Sequence, residues 1–251
     1  GTLALVGVQT TAPTIGTVYF LRIFDCANPN EPVALGEVRL PASAFYIDVE
    51  GTHAYLSLLA SGFSIVDVSD PLAPQIRSTT DTPGNARKFT IANEVMFLAD
   101  VSGGMRVYSV TNASAPSLVS VFTNTAFAYD VAVIDSTAYV ANEFRRHVVE
   151  VDISDLTAPK LVIDHAQLDR PKSMTLRDGH LYSAIGTSGV QIFRLGEPAA
   201  ESINISVRSM AATLVIQTVK GGGEPFTENE LTRLRLLGSS NLVTWDEMNI
   251  S

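Results

Sequence analysis

Short runs of alternating apolar and polar residues, separated by turn residues, fill the first 200 positions of the chain. One such series comprises Phe45–Val49, His53–Ser57 and Phe63–Val68, with the turn pair Glu50-Gly51 between the first two runs. Alternation at a period of two predicts half-buried β-strands, and β-branched and aromatic residues favour the same structure. Because the periodicity of long helices is absent, we predict an all-β fold.

The series of four short strands recurs about every 42 residues. A proline stands at positions 32, 74, 116 and 159, and an aromatic residue at 55, 97, 139 and 182, so both markers step by 42, 42 and 43 residues. Four-stranded units of this length are typical of β-propeller blades, because a twisted sheet buries both faces only between neighbours around an axis. We predict about five blades, at residues 3–40, 41–82, 83–124, 125–167 and 168–210.

Residues 203–251 do not continue the repeat. Ala212–Val219 has the character of an apolar strand, Gly221–Gly223 that of a flexible turn, and Leu231–Leu237 alternates apolar and basic residues. We therefore predict a propeller over residues 1–202 and a β-strand segment over 203–251. That segment belongs either to a truncated β-sandwich module or to the last blade.

One segment of the repeat carries a family resemblance. Phe63–Pro71 has the sequence Phe-Ser-Ile-Val-Asp-Val-Ser-Asp-Pro, and a similar segment returns at Val148–Pro159. It resembles the LVIVD repeat, named for its Leu-Val-Ile-Val-Asp strand, over roughly residues 18–195. The resemblance implies a bacterial or archaeal β-propeller that is extracellular or on the cell surface, mostly without assigned chemistry. Since Asp67 is replaced by Ser109 in the next copy, the motif aspartate is interpreted as a turn cap.

Charge and cysteine content exclude several classes of protein. The chain has 17 Lys and Arg against 26 Asp and Glu, a net charge of −9, so neither nucleic-acid binding nor docking on an anionic membrane is expected. No apolar stretch approaches the ~20 residues of a membrane helix, so no membrane insertion is expected. The single Cys26 excludes an intrachain disulfide and a paired-cysteine metal site, and we expect no cofactor. No signal peptide is seen at Gly1, which we interpret as the start of a mature fragment.

A ligand site is predicted at one mouth of the central channel, where the connections into the innermost strands meet the loops between second and third strands. Arginine in such loops offers a two-pronged donor for a carboxylate or phosphate. The candidate ligand-binding residues are Arg87, Lys88, Arg145, Arg146, His147, Arg170 and Lys172. The alternative for these residues is a set of solvated or mutually paired charges.

Four acidic residues of the same loops are the candidates for catalysis: Asp100, Asp130, Glu143 and Asp169. Two carboxyl groups ~5–9.5 Å apart would suit glycoside hydrolysis. Nothing in their spacing selects these four from the other acids, and the chain has no nucleophile-elbow motif. His147 and His165 fall near the same mouth, but without a spacing motif they do not predict a metal site.

These patterns favour a non-catalytic binding or scaffold propeller, extracellular or on the cell surface. Its partner would be a protein, a carbohydrate or another small molecule at the channel mouth. The first alternative is a hydrolase of glycosides or esters that uses the channel-mouth carboxylates. The second is a structural module in which unpaired terminal strands join copies into a homo-oligomer.

Overall fold

The computed structural model describes residues 2–12, 16–167, 169–195, 203–210, 213–220, 236–238 and 246–248. Over this part of the chain, 22 antiparallel β-strands form six sheets, and the only helical segments are the single 3₁₀ turns Thr123–Thr125 and Gly186–Ser188. The prediction of an all-β chain built from successive small sheets is confirmed.

Three consecutive sheets have four strands each, in chain order from the axis outward. The second sheet of the chain contains β4 (Tyr46–Glu50), β5 (His53–Ser57), β6 (Phe63–Asp67) and β7 (Gln75–Thr80). The third contains β8 (Phe89–Ala92), β9 (Val95–Ala99), β10 (Met105–Ser109) and β11 (Ser117–Phe122). The fourth contains β12 (Ala128–Ile134), β13 (Thr137–Asn142), β14 (His147–Asp152) and β15 (Lys160–Ala166). These sheets are the blades that the repeat predicts.

The first sheet has three strands: β1 (Leu3–Ala12), β2 (Gly16–Asp25) and β3 (Val33–Leu40). Leu3 pairs with Asp25, as His53 pairs with Asp67 one repeat later. By this register β1 corresponds to the second strand of a complete blade. Among the described residues, the first sheet therefore has no counterpart of the innermost strand.

The fifth sheet contains β16 (Ser173–Arg177), β17 (His180–Ala184), β18 (Val190–Arg194), β19 (Ile203–Met210) and β20 (Thr213–Lys220). A separate pair follows, β21 (Leu236–Gly238) with β22 (Asp246–Met248). Residues 203–205 of β19 pair with β18, so at least this strand of the C-terminal segment continues the fifth sheet. The boundary at residue 202 stays a prediction, and the glycine turn Gly221–Gly223 lies outside the described residues.

The core consists of layers between consecutive sheets. Three of the four aromatic markers pack toward the next sheet: Tyr55 lies in the layer between the second and third sheets, Phe97 between the third and fourth, and Tyr139 between the fourth and fifth. Burying a side chain of this size contributes about 1.5–3 kcal/mol. The marker is therefore periodic because it forms the contact between neighbouring sheets.

The motif aspartate closes the turn before the outermost strand. Oδ1 of Asp67 accepts a hydrogen bond from the backbone N–H of Ser69 at 2.9 Å, and Oδ1 of Asp152 accepts one from Ser154 at 2.9 Å. An aspartate in this position fixes the backbone two residues ahead, which is the local reason for the turn.

Among the residues described, no helix is long and apolar enough to cross a membrane.

Candidate functional site

Two adjacent residues from each of four consecutive repeats lie at the mouth end of the innermost strands. Four residues lie within two positions of the first residue of these strands, and we call them the outer ring: Phe45, Arg87, Tyr129 and Lys172. The residues that follow them directly are Tyr46, Lys88, Asp130 and Ser173, which we call the inner ring. Members of each ring are 42, 42 and 43 residues apart, so the repeat itself brings them to equivalent places around the axis.

Lys88 connects four sheets within the inner ring. Its Nζ lies 3.1 Å from Oδ2 of Asp130 and 2.7 Å from Oγ of Ser173. The same ammonium group lies 5.5 Å from the ring centroid of Tyr46, within reach of a cation–π attraction. The inner ring is thus a connected polar network across the second to fifth sheets.

Asp130 is the buried member of this network, with 4% of its surface exposed. Burial raises the pKa of its carboxyl, while Lys88 and the backbone N–H groups of Met174 and Val131 act in the opposite direction. The Met174 N–H donates to Oδ2 at 2.7 Å, and the Val131 N–H donates to Oδ1 at 2.8 Å. The protein therefore holds a partly desolvated carboxyl group against one ammonium at the axis.

A cavity of about 220 Å³ opens beside the inner ring. Its wall includes Tyr46, Lys88, Asp130, Thr90, Thr175 and Met174. The cavity is smaller than the pockets of about 300–1,000 Å³ that take drug-sized molecules. It suits a single small polar group, or the end of a longer ligand that enters from the mouth.

The outer ring combines aromatic faces with cations. The guanidinium of Arg87 lies 3.9 Å from the ring centroid of Tyr129 and 5.0 Å from that of Phe45. Nζ of Lys172 lies 5.1 Å from the ring centroid of the same Tyr129. Pairing between β12 and β13 shifts register at Tyr129, and such a bulge re-aims a side chain out of the regular alternation.

Glu143 connects the outer ring to the loop between β13 and β14. It accepts hydrogen bonds from Nζ of Lys172 and from the phenol of Tyr129. Although partial burial acts in the opposite direction, these two donors and the nearby Arg170 lower the pKa of Glu143. The bond to Glu143, followed by burial, raises the pKa of Tyr129. Glu143 is therefore held as an anion at the mouth.

The other two candidate acids have structural partners of their own. Asp100 is fully buried and accepts hydrogen bonds from Thr82 Oγ1 at 2.7 Å, Gly84 N at 3.1 Å and Arg106 Nε at 2.8 Å. Asp169 accepts a hydrogen bond from the backbone N–H of Arg170, which lowers its pKa. Each of the four candidate acids has a separate set of donors among the described residues.

The remaining candidate bases lie farther out. Arg145, Arg146 and Arg170 are exposed around the mouth. His147 lies at the start of β14, where its Nδ1 is 2.6 Å from Oδ1 of Asp164 on β15. His165 is bound instead by Glu150, with 3.2 Å between Nε2 and Oε2, so the two histidines have different carboxylate partners.

Sequence reasoning missed the aromatic members of the rings, Phe45, Tyr46 and Tyr129, and the hydroxyl of Ser173. The signal was available, because each stands one repeat period from a basic or acidic candidate. Once the repeat is known, every position equivalent to a candidate belongs to the same ring.

Comparison with known proteins supports the fold. The LVIVD repeat family model matches residues 42–82 and 127–165. No curated protein matches the sequence at a significant level.

Several solved structures share the architecture at low sequence identity. BamB from Moraxella catarrhalis aligns with a TM-score of 0.59 and 10% identity, over 90% of this chain and 75% of that one. A putative 6-phosphogluconolactonase from Bacteroides fragilis gives 0.59 and 15%, over 86% and 67%. A functionally unknown protein from Desulfotomaculum acetoxidans gives 0.60 and 12%, over 87% and 70%. Taken with the two segments that match the LVIVD repeat and the consecutive blade-like sheets, these similarities show a β-propeller fold that contains LVIVD-like repeats.

Proposed function

We propose that the protein is a non-catalytic binding propeller that takes a small ligand carrying a carboxylate or phosphate at the channel mouth. The observation that carries this proposal is the chemistry of the rings. Positions that hold the sheets together repeat one residue type, as the aromatics Tyr55, Phe97 and Tyr139 do. The ring positions instead differ from repeat to repeat, and the aromatic, cationic and anionic side chains of Tyr46, Lys88 and Asp130 line one cavity.

Arg87 is the group best placed to receive an anion. Its Nε is buried and has no hydrogen-bond acceptor among the described residues. A buried donor without a partner is unfavourable, and a bound carboxylate or phosphate would satisfy it with a charge-assisted hydrogen bond. Lys172 lies beside the same aromatic ring and is half exposed, so it offers a second positive charge to the same ligand.

The protein donors that occupy the candidate carboxyl groups favour binding over hydrolysis. A glycosidase needs one carboxyl that stays protonated beside another that is ionised. Glu143 and Asp169 have lowered pKa values, and Asp100 is occupied by three donors. Asp130 has a raised pKa, but Lys88 and Met174 already use its Oδ2 and Val131 uses its Oδ1.

Calorimetric titration with glucuronate and with inorganic phosphate tests the proposal. We expect saturable binding of at least one of the two, weakened about tenfold or more in Arg87→Gln because a charged hydrogen bond is lost. Arg22→Gln is the matched control, since Arg22 lies on the first sheet and pairs with Glu37. Absence of binding by both anions, or equal affinity in Arg87→Gln, would contradict the proposal. Glycoside or ester hydrolysis that disappears in both Asp130→Asn and Glu143→Gln would establish the hydrolase alternative instead.

An extracellular or cell-surface location is part of the proposal, on the strength of the family resemblance. Antibody detection in culture fluid and on intact cells of the native host, against the lysate, tests it. Signal confined to the lysate would contradict it.

One observation favours the second function, assembly into a homo-oligomer. β1 is a ten-residue edge strand that pairs only with β2 among the described residues, and long unpaired edges are templates for strand addition. We expect light scattering to give a mass above that of one chain if this edge is used. Val6→Lys on β1 should then return the monomer, whereas a monomeric wild-type protein would exclude the assembly.

A further inference from the structure

Two phenylalanines form a stacked pair at the rim of the mouth. The rings of Phe127 and Phe144 have centroids 4.9 Å apart and planes inclined by 26°. Both are exposed, Phe127 by 41% and Phe144 by 71%. Phe144 directly follows Glu143, and Phe127 stands two residues before Tyr129, so the pair adjoins the outer ring.

Exposure of phenylalanine is concentrated at this place. Ten of the 11 phenylalanines are described by the structure, and three of these ten are exposed: Phe45, Phe127 and Phe144. All three lie at the channel mouth, and Phe45 covers the guanidinium of Arg87. The remaining seven described phenylalanines are buried or half buried. An apolar patch rimmed by polar residues on an otherwise regular surface marks a binding site.

Phe127 has a strained backbone conformation that holds its ring against Phe144. Its φ of 70° lies in the left-handed region, which bulky side chains rarely adopt. Its N–H donates to the carbonyl of Val101 at 2.7 Å, and its own carbonyl accepts from the N–H of Glu143 at 3.3 Å. Strain that the surroundings hold in place is concentrated at functional sites. Here these bonds fix the left-handed residue whose ring stacks on Phe144.

Positive charge surrounds the aromatic pair. The mouth carries six bases (Arg87, Lys88, Arg145, Arg146, Arg170 and Lys172) and the four candidate acids (Asp100, Asp130, Glu143 and Asp169), an excess of 6 − 4 = 2 positive charges in a chain of net charge −9. Arg145, Arg146 and Arg170 form no ion pair within 4.0 Å with any described carboxylate. The surface at the mouth is therefore complementary to an anion and not to the rest of the protein.

We propose that the Phe127–Phe144 pair is a sugar-binding platform, and that the ligand of the mouth is an acidic oligosaccharide containing uronic acid. A pyranose ring presents an apolar C–H face that packs on the negative face of an aromatic ring. Its carboxylate would reach Arg87 and Lys172, or the exposed arginines of the rim. The inference rests on the proposed anion-binding function and adds the class of ligand.

A protein partner fits this surface less well. A stable protein interface needs about 800 Å² on each partner with an apolar centre. Here the apolar surface consists of a few rings set among charged side chains, above a narrow cavity. A uronate chain carries apolar ring faces next to carboxylates, and the loop at residues 142–147 places the Phe144 ring next to Arg145 and Arg146.

Calorimetry with trigalacturonate tests the platform. The comparison ligands are galacturonic acid, neutral galactotriose and a blocked triglutamate peptide with three carboxylates. The variants are Phe144→Ala and Phe144→Tyr, with Leu72→Ala as the control, because Leu72 is equally exposed but lies on a turn before an outermost strand. Phe144 is exposed, so its replacement leaves the core intact.

We expect trigalacturonate to bind more tightly than the other three ligands, and Phe144→Ala to weaken it about three- to tenfold through loss of the stacking contact. Phe144→Tyr and Leu72→Ala should bind as the wild type does. Equal affinity of Phe144→Ala, or equal affinity for the peptide, would overturn the platform. Glucuronate or phosphate binding that depends on Arg87 would then still stand, whereas loss of all binding would remove the proposed function as well.

Discussion

Lys88 and Asp130 occupy the same position in consecutive repeats, 42 residues apart, and their Nζ and Oδ2 atoms lie 3.1 Å from each other across the boundary between the third and fourth sheets. The side chain of Asp130 is 5% exposed and that of Lys88 27%, so the pair is only partly screened by water. Removing one partner of such a pair leaves the other charge without compensation.

We therefore expect Lys88→Met to lower the free energy of unfolding by about 1–3 kcal/mol, less than a fully buried pair because water still reaches Lys88. Urea denaturation measures the change, and Lys160→Met, at an exposed position on β15, serves as the control. The double variant Lys88→Met/Asp130→Asn should recover part of the loss. A double variant less stable than Lys88→Met would contradict the ion-pair account.

Asp130 also predicts a dependence of stability on pH. Its folded pKa is raised above the ordinary 3.8, chiefly by burial, so the folded state binds this proton more tightly than the unfolded state does. Its contribution is fully present below 3.8 and is lost as the pH rises through the folded pKa. Urea denaturation across this range should show the stability of wild type relative to Asp130→Asn falling with pH. A rising difference would contradict the assignment.

The raised pKa of Tyr139 predicts that the protein loses stability at high pH. Burial between the fourth and fifth sheets, with a smaller effect of Glu150, raises its pKa to about 12. Stability from this group is present below the ordinary pKa of 10.0 and is lost as the pH rises through about 12. Difference absorbance of the phenolate between wild type and Tyr139→Phe should place its titration near that value. Ionisation near 10 would show that the phenol is solvated.

Asp67 differs from Asp152 in one contact. Both cap a turn, but only Asp67 binds an arginine, with Arg77 Nη2 at 2.6 Å. Hydrogen bonds from Ser69, then from Arg77, lower its pKa, so its contribution to stability is present above pH 3.8 and is lost as the pH falls below it. At pH 7 we expect Asp67→Asn to lower the Tm more than Asp152→Asn, measured by circular dichroism. Equal shifts would show that Arg77 adds nothing to the turn.

Replacement of Asp100 is expected to lower the stability of the protein without changing its affinity for anions. Asp100→Asn would leave Arg106, 11% exposed, without its anionic partner, and we expect a loss of about 3 kcal/mol in the free energy of unfolding. Asp135→Asn, at an exposed turn, is the control. Anion affinity of the folded Asp100→Asn protein should match the wild type. A stable variant with weakened binding would instead place Asp100 in the site.

The repeat period was sufficient to predict the sheets, because the contacts between blades recur with the same period. Tyr55, Phe97 and Tyr139 mark those contacts in the sequence as clearly as in the structure. The first sheet was less predictable. Its strands β1 and β2 have ten residues each and pair as far as Ala12 and Gly16. The turn residues that end the shorter strands of the other repeats are missing from this stretch.

The roles of individual acids were not predictable from the period. Asp100 stands at the position of Leu58 and Asn142 in the neighbouring repeats. Its role depends on Arg106 and on a glycine at position 84, where a Cβ would lie 1.8 Å from the carbonyl of Asp100. Such a fit is decided by packing within one repeat, and no comparison between repeats reveals it.

The bonds of Lys88 to Asp130 and Ser173 restrict how a protein of this type can grow by duplication. Copying residues 83–124 and inserting the copy after the original would set a second lysine beside Lys88, where a carboxylate now stands. Two ammonium groups at the axis would repel each other, although every strand and turn of the added unit would still form. Gene duplication followed by divergence at a single axial position is therefore the route by which such a ring can gain or lose a member.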